Sequence, residues 1–80
     1  MARDLLDLHG FKTEDVMAAV DGFLTRSEGL SLDRVRIMTG KGTGAVKKAV
    51  IQILKQAHYT WTYEKLSHGK NNEGVIVVDL

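Results

Sequence analysis

Twice within 80 residues, a short run of alternating apolar side chains ends at glycine and gives way to a run with helical period. The first junction is Leu6-Asp7-Leu8-His9-Gly10; the second is Thr39-Gly40-Lys41-Gly42-Thr43-Gly44. A period of two marks a strand and a period of about 3.6 a helix. Strand–turn–helix repeated in this way calls for a sheet whose sequential strands run parallel and are joined by crossover helices, right-handed by the general rule.

Strands are expected at residues 4–9, 34–38, 60–66 and 75–80, and helices at 14–28 and 44–57. In the first strand Leu6 and Leu8 share one face, and Leu5, Asp7 and His9 the other. Thr13 suits the N-cap of helix one, with Glu14 and Asp15 in its first turn and Gly29 at the C′ position. Val16, Val20, Phe23 and Leu24 form one helical face; Val46, Ala49, Val50, Ile53 and Leu54 form another. Residues 67–74, rich in glycine and asparagine, read as a turn region. The uninterrupted run Val75-Ile76-Val77-Val78 suits a central strand buried on both faces. The fold class is therefore α/β: a two-layer sandwich in the order β-α-β-α-β-β, with one four-stranded mixed sheet, two helices on one face and the last two strands antiparallel. Residues 1–80 are read as one domain.

Composition narrows the function classes. There is no cysteine, which excludes disulfides and thiolate zinc. No apolar run approaches the roughly 18 residues of a membrane span, and no signal pattern opens the chain, so the expected setting is cytoplasmic and no membrane partner is expected. Net charge is only +1. However, Arg34, Arg36, Lys41, Lys47, Lys48 and Lys55 fall in one stretch without an acid, and such a local excess attracts polyanions.

Ligands of open α/β sheets favour the carboxyl ends of parallel strands. Three loops converge there, bringing His9, Lys41, His68, Lys70, Asn71 and Asn72 to one rim. Gly40, Gly42 and Gly44 let backbone approach a ligand closely and lead into a helix N-terminus that favours anions. Lys41 adds a charge and Thr43 a hydroxyl. The spacing matches neither a Walker loop nor a dinucleotide fingerprint. Asp7 and His9 are an acid/base candidate: a carboxylate can orient an imidazole, and histidine titrates near neutrality. No metal-ligand spacing is present; no cofactor is evident, and divalent-cation dependence is left open. His58 reads as structural at a helix end and His68 as solvent-exposed. Tyr59, Trp61 and Tyr63 share a face; packing is favoured for at least one, and base stacking is left open.

These residues resemble the Smr (small MutS-related) domain family. Leu6-Asp7-Leu8-His9-Gly10 is similar to its LDLHG motif, and Thr39-Gly40-Lys41-Gly42-Thr43-Gly44 to its HGxGxG motif; Gly74-Val75-Ile76-Val77-Val78 looks like its closing strand. The resemblance implies a fold like the C-terminal domain of bacterial translation initiation factor 3, with strand order 1-2-4-3. It implies nucleic-acid binding and, in many members, endonuclease activity on DNA or RNA, with the alternative of a non-cleaving nucleic-acid or ribosome-binding module. Members occur alone and at the end of larger MutS-related chains. Carried onto this chain, Asp7 and His9 are the catalytic pair. Gly10, Thr39, Gly40, Lys41, Gly42, Thr43, Gly44, Lys47, Lys48 and Lys70 are nucleic-acid contacts, and no residue is assigned to a metal. Thr39 stands where the family usually has histidine. A threonine can hydrogen-bond a phosphate but cannot shuttle a proton near pH 7, and His68 is a candidate substitute.

Overall fold

The computed structural model describes residues 4–40 and 44–80. Six elements follow in order: β1 (Leu5–Asp7), α1 (Thr13–Gly29), β2 (Arg34–Met38), α2 (Ala45–Gln56), β3 (Thr60–Lys65) and β4 (Asn71–Asp79). The sheet order is β1-β2-β4-β3. β1 pairs parallel with β2, and β4 lies antiparallel to both β2 and β3. β3 therefore runs in the direction of β2 but is separated from it by β4.

Both helices lie on one face. Register places Leu6 beside Ile37, Val35 beside Val78, and Ile37 beside Ile76. These side chains meet Val16, Val20, Phe23 and Leu24 of α1 and Val50 and Leu54 of α2 in one core, which Leu8 closes at the end of β1. Both apolar helical faces are thus those the spacing predicts. Trp61 and Tyr63 fall on the same side of the sheet as Val78 and Ile76 and, with Tyr59, pack against the core. Their rings meet edge to face at 5.4 Å between centroids. The opposite face carries Arg34, Arg36, Val77 and Asp79 and has no helix over it. Val77 is accordingly only half-buried; β4 is central, as its apolar run suggests, but it is covered on one side only.

The helix ends differ from expectation. Lys12, not Thr13, occupies the N-cap of α1, in extended geometry and without a side-chain cap bond. Gly29 is the last helical residue rather than the left-handed one. That role falls to Ser31, at φ 59°. Ser31 N–H donates to Glu28 at 3.0 Å and Leu32 N–H to Ser27 at 3.2 Å, the paired bonds of a Schellman motif. α2 ends the same way: His58 takes φ 61°, its N–H donates to Lys55 at 3.2 Å, and Tyr59 N–H donates to Leu54 at 2.9 Å. His58 is therefore a helix-terminating residue. A side chain in this conformation costs roughly 1–2 kcal/mol, and glycine returns about half of that gain to the flexibility of the unfolded chain. His58→Gly is expected to raise the unfolding free energy by about 0.5–1 kcal/mol, read from urea midpoints at constant slope.

Tyr59 ties the two helix ends together. Its hydroxyl donates to the Glu28 carboxylate. That bond, then burial, then the negative charges of Glu28 and Asp21 push its pKa from 10.0 up to about 12. The folded protein holds this proton more tightly than the unfolded chain does. The associated stability is therefore intact below about pH 10 and is lost as pH rises toward about 12. Ultraviolet titration of a Tyr63→Phe protein should show the late phenol, and adding Glu28→Gln should bring it earlier.

Candidate functional site

The carboxyl ends of β1 and β2 lie side by side. Leu8 N–H donates to the Met38 carbonyl at 2.9 Å, continuing the ladder one step past β1. Leu8 is buried and anchors the turn after it. Phe11 N–H returns to the Leu8 carbonyl at 3.0 Å, closing that turn over His9 and Gly10. Gly10 takes φ +82°, which a side chain at the third position of such a turn would resist. His9 stands exposed on this turn.

Asp7 lies at the end of β1, on the sheet face away from the helices. Its Oδ1 accepts the backbone N–H of His9 at 2.8 Å. The link between the acid and the histidine thus runs through the main chain: Asp7 shapes the turn that displays the imidazole. The expected ring–carboxylate bond is not among the hydrogen bonds of the described residues.

The glycine-rich segment starts from a pinned base. The Gly74 carbonyl accepts Thr39 N–H at 2.8 Å and Gly40 N–H at 3.3 Å, and the Thr39 hydroxyl at 3.4 Å. Thr39 is buried, 8% exposed. Its side chain is turned inward to β4, where both its hydroxyl and its amide are engaged. The Gly40 amide is engaged in the same way. Lys41, Gly42 and Thr43 lie outside the described residues. The segment re-enters at Gly44, left-handed at φ 84°, which is the N-cap of α2.

The start of α2 has an unusual charge pattern. No side chain caps it among the described residues, and its first turn holds no acid, whereas α1 begins with Glu14 and Asp15. Lys47 and Lys48 sit at this positive end of the helix dipole, where cations are disfavoured. Lys48 is exposed. Lys47 Nζ lies 3.4 Å from Glu73 Oε1 and 5.5 Å from the centroid of the Tyr63 ring.

The turn expected over residues 67–74 is shorter than that. β4 begins at Asn71, paired with Lys65, and the β3–β4 hairpin extends past the end of β2 as an arm. A register shift between Tyr63 and Glu64 accompanies a half-buried polar network. Glu64 accepts from Arg36 Nη1 at 3.2 Å and from Asn72 Nδ2 at 3.3 Å, and Asn72 Oδ1 accepts Gly74 N–H at 3.1 Å. Asn72 therefore braces the strand instead of lining the rim. His68 and Lys70 are exposed near the tip of the arm, with β2 between that hairpin and β1, which leads into the His9 turn. Sequence reasoning missed Glu73 and the Gly74 carbonyl, because both depend on the register shift.

Among the described residues no three His, Asp or Glu side chains gather as a metal site would require. No helix there is long and apolar enough to cross a membrane. A hollow between α1 and α2 is lined by Met17, Ala18 and Ile53 among others.

Comparison with known proteins returns a consistent picture. The model of the Smr domain family matches residues 6–80. Endonuclease MutS2 of Bacillus mycoides is 40% identical over 75 residues, covering 94% of this chain and 10% of that protein. Endonuclease MutS2 of Symbiobacterium thermophilum is 37% identical over the same length and shares. The chain thus spans about a tenth of the curated relatives it matches. The crystal structure of the Smr domain of Thermus thermophilus MutS2 superposes with a TM-score of 0.80 at 29% identity, covering 95% of each chain. YdaL, a stand-alone small MutS-related protein from Escherichia coli, superposes with a TM-score of 0.85 at 22% identity, over all of this chain and 66% of that one; that likeness speaks for the fold.

Proposed function

The chain belongs to the Smr domain family, and from that premise we propose that the edge formed by the His9 turn and the start of α2 binds the sugar–phosphate backbone of a nucleic acid and cleaves it. The observation that carries this reading is the basic first turn of α2. Two lysines at a helix N-terminus whose first turn holds no acid are offset by a bound phosphate. An exposed imidazole on the neighbouring strand end supplies a base beside that phosphate. His9 would take the proton from the attacking water or, on RNA, from the 2′-hydroxyl. Lys41, Lys47, Lys48 and the amides leading into α2 would stabilise the charge that builds on the phosphate. Gly10 and Gly44 provide the turns, and Lys70 would reach the same strand from the hairpin arm. The MutS2 relatives, named as endonucleases, are consistent with this chemistry.

A second reading is a binding module that does not cut, and one feature favours it. Thr39, in the place of the family's usual histidine, is buried with its hydroxyl on Gly74, so His9 stands without a second proton-transfer group from that position. The deciding experiment offers labelled single-stranded RNA, duplex DNA and branched DNA to the protein, with magnesium or with EDTA, across a salt series. Cleavage establishes the first reading and its metal need. Salt-steep binding without cleavage supports the second, and no binding removes both.

Glu73 gives a finer test. An exposed ion pair is worth about 0.2–1 kcal/mol, so releasing Lys47 by Glu73→Gln is expected to tighten nucleic-acid binding by up to about fivefold. Fluorescence anisotropy of a labelled strand at fixed salt reads the change.

A further inference from the structure

The chain has five aromatic residues. Phe23 is buried in the core, and Tyr59, Trp61 and Tyr63 pack against it. Phe11 alone stands outside that cluster, 41% exposed. A single exposed apolar side chain is ordinary on a protein surface; the position of this one is not. It closes the turn that displays His9, through its N–H to the Leu8 carbonyl. That turn is held at its start: Leu8 is buried and bonded to Met38, and Asp7 holds the His9 amide. The four residues of such a turn span under about 7 Å between their end Cα atoms. A ring and an imidazole are thus presented together from a braced piece of backbone. Lys12 follows Phe11 directly, is exposed, and has no ion pair among the described residues.

Resting on the nucleic-acid reading above, we propose that Phe11 is a stacking platform for an unpaired nucleobase, next to the phosphate that meets His9. A ring carried on a hydrogen-bonded turn costs little backbone freedom on binding, and the face of any base fits it. A base inside a duplex is already stacked on its neighbours and cannot take this position without leaving the helix. The substrate class selected is therefore single-stranded, at least at the nucleotide beside the reacting phosphate. The other four aromatics are in the core or packed against it.

The test uses oligoadenylate in ribo and deoxyribo forms, the same strands with abasic positions, and a duplex, each titrated by anisotropy. Phe11→Ala is expected to weaken binding of the base-bearing single strand about tenfold. Binding of the abasic strand and of the duplex should stay unchanged, as should the salt slope, because phosphate contacts are untouched. Phe11→Trp should restore affinity. Thermal midpoints of the variants, close to that of the native protein for an exposed position, confirm folding. An equal loss on abasic and base-bearing strands, or no loss on either, overturns the platform while leaving nucleic-acid binding in place. A native protein that binds no strand at all overturns the parent reading and this one with it.

Discussion

Ile76→Ala is expected to lower the unfolding free energy by about 3–4 kcal/mol. Ile76 is fully buried in the central strand, paired with Ile37 on one side and Tyr63 on the other. Shortening it removes contacts to both neighbouring strands and to the helix layer, where regular secondary structure leaves little room to collapse. A domain of this size holds on the order of 4–12 kcal/mol in total, so the loss is a large share of the whole. The thermal midpoint should fall on the order of 15 °C. The neighbouring residues test the one-sided burial of β4. Val78, fully buried, should cost about 2–3 kcal/mol on truncation to alanine. Val77, half-buried on the open face, should cost about half as much. Equal costs would mean that a second layer covers that face in solution.

The contrast between Val77 and Val78 also shows where pattern reading reaches its limit. An unbroken apolar run signals a strand flanked on both edges, and β4 does lie between β2 and β3. Whether both faces are covered depends on how many helices the chain can spare, and two helices cover one face. Helix faces were legible because Val16, Val20, Phe23 and Leu24 recur at helical spacing and nothing local competes with that period. Helix ends were less so. Glycine is the usual left-handed terminator, so Gly29 reads as the stop, yet the chain turns two residues later at Ser31, where Leu32 can return to the core. The segment 71–74 reads as a turn from its asparagines and glycine. Pairing with Glu64 and Lys65 converts it to strand, since cross-strand partners outweigh weak local preference. The two motifs were legible as strand-to-helix turns because glycine readily takes the positive φ that Gly10, Gly40 and Gly44 adopt. The inward Thr39 hydroxyl was not, because its partner is a carbonyl 35 residues away.

His9→Ala is expected to reduce phosphodiester cleavage by about 10²-fold or more, with binding at fixed salt nearly unchanged, because one exposed imidazole adds little to a grip made by lysines and amides. Asp7 separates two ways of supporting that histidine. Its carboxylate holds the His9 backbone N–H at 2.8 Å, and an asparagine side-chain oxygen can accept the same bond. Asp7→Asn should therefore keep most of the cleavage rate, while Asp7→Ala frees the turn and should lose about tenfold, as befits one charge-assisted bond near a solvent-exposed site. If Asp7 instead acted on the imidazole through its charge, Asn and Ala would fall together. Single-turnover rates at saturating protein separate these outcomes from any change in affinity. Undiminished cutting by His9→Ala would remove the imidazole from the chemistry and leave the exposed turn as a binding element beside the basic start of α2.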